Sequence, residues 1–462
     1  MFAAHIYRQR REALRKRLDA GVVLFLGNGE SPINFADNVY PFRQDSCFLY
    51  YWGIDQPGMA ALIDVESGAE LLFGDDFDIS VRIWTGAVPK MSDWAAGAGG
   101  VEVRRADELA AVIKAARQGG RPIHILPPYR DAHRLALAKL LAMAPEQVAA
   151  AVSEPLLAVV IAQRSVKSQE EIEEIETALA VTRQMHLAAM AAGAPNRFEY
   201  EVAALLQERC YAGGGLQQAF APILTVSGEI LHNPVHHQEM QAGQLVINDS
   251  GAASKRHYAS DITRTFPVSG NFTSRQAEIY SIVLGAQAAA IDMLRPDIAY
   301  RDVHRAAVEK IAAGLVDLGL MTGDPAEIVA KGAHALFMPH GLGHMLGLDV
   351  HDMENLGEDR VGYTAEAPRS SQFGLSALRL GRELMAGFVV TVEPGIYFIP
   401  ALIAQWQAAG RFSDHIRYER LEPYLDFGGV RIEDDVLITD TGARVLGPPI
   451  PKQISEVEAV CG

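Results

Sequence analysis

GGVRIEDDVLIT, residues 428–439, sets Glu433, Asp434 and Asp435 inside a run that otherwise reads as an apolar β-strand. Three more stretches share this oddity: QLVINDSG (244–251) with Asp249, HYASDITRTFPV (257–268) with Asp261, and GFVVTVEPGIYF (387–398) with Glu393. A buried, unpaired carboxylate is costly, and it shifts its pKa until it is neutral unless a positive partner offsets it. One such acid could meet an arginine. Four in separate strands point to a shared cation. Singly, each has a plainer reading: Asp249 and Asp261 as strand-end acids, Glu393 as a turn residue before Pro394-Gly395, and Glu433 as part of a solvated patch with Asp434 and Asp435.

The segment FMPHGLGHMLGLDVHD (337–352) adds His340, His344 and His351. His340 and His344 have helical spacing, but Gly341 and Gly343 favour a loop, and no Glu follows His340 to make a zinc helix. A lone His344 would more often be a satisfied core histidine. Four carboxylates and one neutral imidazole balance two divalent cations. Oxygen-rich ligation favours Mn²⁺, with Co²⁺ or Zn²⁺ as alternatives. Two such ions would hold a hydroxide and polarise a carbonyl.

Outward from these motifs, alternating patterns organise the chain. A basic amphipathic helix over Tyr7–Leu18 precedes strands at 21–27, 59–65, 69–74 and 121–127 and helices near 106–117 and 130–144, an α/β pattern. LGNGES after the first strand is a turn, since no phosphate-loop Lys-Ser/Thr follows. A boundary falls at 155–168, giving domains 1–160 and 161–462. Ser168 with Glu171, and Thr273 with Gln276, read as capping boxes opening long helices.

The 462 residues are 49% apolar and 21% charged, with a net charge of −16. That charge argues against nucleic acid and anionic membrane surfaces as partners. The N-terminus lacks the apolar stretch of a signal peptide, and there is no long apolar run, so a cytoplasmic protein is expected. Cys47, Cys210 and Cys461 lie far apart and make neither a disulfide framework nor a metal pair.

At these motifs the chain resembles the pita-bread metallopeptidases, in their proline-specific branch of Xaa-Pro dipeptidases and Xaa-Pro aminopeptidases. NVYPFRQDSCFLYYWG (38–53) resembles the signature of that family's N-terminal domain, and SDITRTFPVSG (260–270) its catalytic motifs. The resemblance implies an α/β N-terminal domain, an α+β pita-bread catalytic domain, and Asp249, Asp261, His344, Glu393 and Glu433 as ligands of two ions. It implies that Asp261 and Glu433 bridge, that Glu393 is also the general base, and that His232, His340, His351 and Arg431 attend the substrate. It implies Arg379 as a clamp for a dipeptide carboxylate, although Arg382 could be aligned there instead, and Trp84 as a residue reaching a neighbour's pocket in a homodimer or homotetramer. The insertions at 358–384 and 399–429 look prolidase-like. A small Xaa-Pro peptide is the expected substrate.

Two departures stand out. Ser254 occupies the position of the family's tyrosine after the first aspartate, with Tyr258 as a substitute, and the Asp249–Asp261 interval is longer than usual. Rival readings are an aminopeptidase acting on longer peptides, a metal-free binding protein, a creatine amidinohydrolase, and a side activity on organophosphates.

Overall fold

The computed structural model describes residues 1–214 and 216–462. It divides the chain into two compact units, Met1–Arg164 with Met353–Gly357, and Ser165–Asp352 with Glu358–Gly462.

The first unit is built on a mixed five-stranded sheet. Val22–Leu26 runs antiparallel to Ala60–Asp64 and parallel to Ile123–His124. Ala60–Asp64 runs antiparallel to Glu70–Phe73, which runs parallel to Glu102–Arg104. Val22, Leu24, Leu62 and Phe73 pack against Ile113 from the helix Leu109–Gln118 and Leu137 and Leu141 from Asp131–Leu141. The strand expected over 121–127 shortens to Ile123–His124, between Pro122 and Pro127, which cannot donate to a ladder. The first helix spans Ala4–Arg15. It is less solvated than its basic sequence suggests: Arg11 is fully buried and donates to Tyr51 O at 2.7 Å and Ala98 O at 2.8 Å.

In NVYPFRQDSCFLYYWG, Asp45 caps the helix Ser46–Trp52 by accepting from Phe48 N at 2.9 Å. That helix ends at Gly53, where φ is +67° and a Cβ would meet the Tyr7 ring at 2.2 Å. Only glycine satisfies both demands.

The second unit carries the long helices Gln169–Ala192, Ser274–Met293 and Tyr300–Asp317. Thr273 and Gln276 cap each other as expected. At Ser168 the box is half made: Glu171 accepts from Ser168 N at 3.0 Å, but the buried Ser168 hydroxyl has no partner. Four short antiparallel sheets follow among the described residues, the smallest of them pairing Gln217–Gln218 with Ala252–Ala253. Leu245–Ser250 lies between Ile223–Thr225 and Ile262–Pro267, Asp434–Ile438 lies between Val389–Val392 and Ala443–Val445, and Gly395–Tyr397 pairs with Gly429–Arg431. Among the described residues, no single helix is long and apolar enough to cross a membrane.

Candidate metal centre

Of the four acids expected as ligands, only Asp249 lies within a strand. Asp261 immediately precedes Ile262–Pro267, Glu393 immediately follows Val389–Val392, and Glu433 occupies the break between Gly429–Arg431 and Asp434–Ile438. The reason is local. A strand interior commits each backbone group to the ladder, whereas a strand end frees the chain to turn a carboxylate into a shared cavity.

Hydrogen bonds set the register. Asp249 lies opposite Thr263. The Thr263 hydroxyl donates to Glu433 Oε2 at 2.7 Å, and Glu433 N donates to Thr263 O at 3.0 Å. Asp261 N donates to Asp435 Oδ2 at 3.0 Å. His344 comes from a loop, as the glycines around it imply. That loop lies along the strand carrying Glu393: Thr391 N donates to His344 O at 3.0 Å and Glu393 N to Leu342 O at 2.8 Å. A Cβ at Gly343 would sit 2.1 Å from Thr391 O, so any larger residue would push the loop off the strand.

The result is a buried cluster. Asp261, His344 and Glu433 each offer a ligand atom within 4.8 Å of the others. His344 Nε2 lies 3.4 Å from Asp261 Oδ2 and 3.6 Å from Glu393 Oε1. Asp249 Oδ2 accepts from Arg431 Nη2 at 2.6 Å. Asp249 Oδ1, Asp261 Oδ1 and Glu433 Oε1 are buried with no hydrogen-bond partner among the described residues. Burial, reinforced by neighbouring acids, drives the carboxyls of Asp261 and Glu433 well above the usual range. Glu393 is also raised by burial, against the lowering pull of His344 and Arg431.

Native proteins seldom leave several buried carboxylate oxygens orphaned side by side. The set of four carboxylates and one imidazole fits hard or borderline divalent cations. The plainer reading of Glu433 as part of a solvated patch is overturned: Glu433, Asp434 and Asp435 are 1%, 3% and 0% exposed.

All five of these residues line one cavity of about 310 Å³, together with His232, His340, His351, Arg379 and Arg431. His340 Nε2 lies 3.0 Å from the Tyr397 hydroxyl, which also accepts from Arg431 Nη1 at 2.9 Å. Burial first, then Arg431, lowers the pKa of His340 to about 3 and also lowers that of His232. Both therefore stand as neutral imidazoles near pH 7. The His351 ring lies 4.1 Å from that of His344, centre to centre.

Arg379 lines the cavity, while Arg382 donates to Ser165 Oγ at 2.9 Å and lies over the Phe388 ring. Tyr258, the suggested substitute for the absent tyrosine, donates instead to Glu171 Oε1 at 2.9 Å. Trp84 is 87% exposed on the helix Ile79–Thr85, whose seven residues are all unburied.

Tyr397 and Thr263 join the site without a signal of their own in the sequence. Tyr397 sits in the quoted EPGIYF motif, on the strand paired with the one carrying Arg431, so its tether to Arg431 is a matter of sheet register. Thr263 is marked by its register opposite Asp249. Neither residue type signals a site by itself.

Comparison with known proteins now adds to the geometry. The sequence model of metallopeptidase family M24 matches residues 173–440, and that of the aminopeptidase P N-terminal domain matches residues 7–124. The human Xaa-Pro dipeptidase is 31% identical over 97% of this chain and 90% of its own length. The Xaa-Pro aminopeptidase of Escherichia coli (strain K12) is 32% identical over 98% of this chain and 97% of its own. Zinc-substituted E. coli aminopeptidase P in complex with product superposes with a TM-score of 0.81 at 29% identity, covering 100% of this chain and 98% of that one. Pseudomonas aeruginosa aminopeptidase PepP superposes at 0.80 and 28%, covering 100% and 99%.

Proposed function

This chain belongs to metallopeptidase family M24, with an aminopeptidase P N-terminal domain and a pita-bread catalytic domain, and from that premise we propose that it hydrolyses the Xaa-Pro bond of dipeptides at a two-metal centre. The observation that carries the reading is the set of orphaned carboxylate oxygens on Asp249, Asp261 and Glu433 around His344, opening into a cavity that Arg379 also lines.

In this reading Asp249, Asp261, His344, Glu393 and Glu433 hold two divalent cations, with Mn²⁺ preferred and Co²⁺ or Zn²⁺ acceptable. Asp261 and Glu433, which lie with His344 at the centre of the cluster, would be shared by the site as a whole. Bound cations would supply charge to polarise the scissile carbonyl and to acidify a water.

The protein's own groups do the rest. Glu393 takes a proton from the attacking water and passes it to the proline nitrogen as the peptide bond breaks. His351 and His232 donate hydrogen bonds where negative charge develops on the carbonyl oxygen. Arg431 spans Asp249, Tyr397 and Thr263 and fixes the wall behind the substrate. The nitrogen of an Xaa-Pro bond has no hydrogen to donate, so proline is selected by fit and by its carboxylate. Arg379 receives that carboxylate through a guanidinium fork.

Trp84, on its exposed helix, covers the pocket of a second copy in a homodimer or homotetramer. A monomeric solution mass would remove that role.

A second reading, removal of the first residue from longer Xaa-Pro peptides, is favoured by the near-equal identity to the E. coli aminopeptidase. Comparing kcat/KM for Ala-Pro and Ala-Pro-Ala on metal-loaded protein separates the two. Preference for Ala-Pro supports the dipeptidase, and preference for the tripeptide sinks it.

A further inference from the structure

We propose that Glu358 is a positioning residue that holds the Arg379 guanidinium toward the cavity and thereby sets the preference for a free carboxylate after proline. The inference rests on the dipeptidase reading and deepens it.

Glu358 opens the short helix Glu358–Gly362. One of its oxygens lies 3.2 Å from Arg379 Nη1, and the other pairs with Arg369. Arg369 is itself fixed from several sides. It pairs with Asp359 at 2.6 Å, donates to Ser376 O at 3.0 Å and Leu378 O at 2.9 Å, and lies 4.7 Å from the Tyr363 ring centre. Glu358 is thus a carboxylate whose own orientation is set before it meets Arg379.

The backbone carrying Arg379 is secured by other means. Gly381 N and Arg382 N both donate to Gly362 O, at 2.8 and 2.9 Å, and the Tyr363 hydroxyl donates to Leu378 O. A Cβ at Gly362 would stand 1.9 Å from Arg379 O, so glycine is what allows this approach. The main chain at Arg379 therefore has anchors at Gly362 and Tyr363 that do not involve the Glu358 side chain, whereas its long side chain meets Glu358 directly.

An arginine has several rotatable bonds, and ordering it in advance lowers the cost of binding a carboxylate later. A guanidinium carries five donors in a planar fork, so contact with Glu358 at one edge is compatible with a substrate carboxylate at another. The Arg379 and Glu358 side chains are each 33% exposed, so the pairing is partly screened and its effect is modest.

The test uses the full-length, metal-loaded enzyme with Ala-Pro and Ala-Pro amide, which differ in the terminal charge. Glu358→Ala is expected to raise KM for Ala-Pro roughly fivefold, with the amide moving less than about twofold and the change falling on KM rather than kcat. Glu358→Gln, which keeps an acceptor oxygen, is expected to recover part of the loss. An unchanged acid-to-amide ratio in Glu358→Ala, or a fall in KM for Ala-Pro (the mark of a carboxylate that competes with substrate), overturns the proposal. So does an equal loss on both substrates in both variants. Arg379→Met separates the two levels. If it leaves the ratio intact, the carboxylate clamp itself is wrong. If it abolishes the ratio while Glu358→Ala does not, only the role of Glu358 fails.

Discussion

Glu433 and Asp434 are neighbours in sequence, both buried, and opposite in electrostatic treatment. Asp434 loses solvent but gains Arg264 at 2.6 Å, Lys452, and Gln287 at 3.1 Å, and these hold its carboxyl below the usual range despite burial. Glu433 faces the other way, toward Asp261, Glu393 and Asp249, and is pushed well up. Arg264 reinforces the division by donating to the backbone carbonyls of Thr263 and Glu433 at 2.9 and 2.6 Å. Where the acid is structural, the protein supplies its own cations. In the cavity, Asp249, Asp261 and Glu433 each keep one buried oxygen without a hydrogen-bond partner among the described residues. A single residue separates the two environments, at the point where the chain leaves the break and enters the strand Asp434–Ile438.

The contrast is broken most directly at the unsatisfied side. Asp261→Ala or Glu433→Ala is expected to lower kcat/KM for Ala-Pro by roughly 1000-fold or more, with loss of bound metal by elemental analysis. Full metal content in both variants would undo the assignment.

On the satisfied side, Asp434→Ala leaves Arg264 buried against no carboxylate and is expected to cost about 3 kcal/mol of stability in denaturant unfolding. Metal stoichiometry should persist, because Asp434 points away from the cluster.

Chelation sharpens the same division. Restoring a divalent ion at about 100 times its dissociation constant is expected to stabilise the wild type by about 2.7 kcal/mol for each site filled. The gain should be absent in Glu433→Ala and retained in Asp434→Ala, read as shifts in the thermal midpoint.

The smallest effect lies in the first unit. Arg121 pairs with Asp64 at 2.6 Å and lowers its pKa to about 2. A folded-state pKa below the unfolded value gives stability that is present above the unfolded pKa and lost as pH falls through the folded one. That window runs from about 4 to about 2. Asp64→Asn should flatten acid unfolding there by under about 1 kcal/mol, because the pair is partly exposed. Divalent ions should not alter it.

Much of this was legible in the residues. The four acid-bearing apolar runs and the glycine-flanked His344 announce a cation site, since no ordinary core tolerates them. The loop geometry at His340–His344 follows from Gly341 and Gly343. Composition and spacing alone do not tell Glu433, Asp434 and Asp435 apart: the family resemblance is what names Glu433, and in the structure Glu433 lies beside Asp261 while Asp434 meets Arg264. Tyr397 was hidden for the same reason, because an apolar motif ending in an aromatic reads as core packing. Arg379 and Arg382 were equally plausible clamps by spacing, and their separation depends on a turn pinned by Gly362.

Thr263 and Glu433, 170 positions apart in the chain, meet at 2.7 Å, and Asp249 and Arg431, 182 apart, at 2.6 Å. Contacts spanning such intervals form only once most of the second unit has collapsed, which makes its assembly slow by topology. On the proposed two-metal reading the cations would be captured late, once those contacts exist, so that a half-made chain would hold neither ions nor the power to cut peptides.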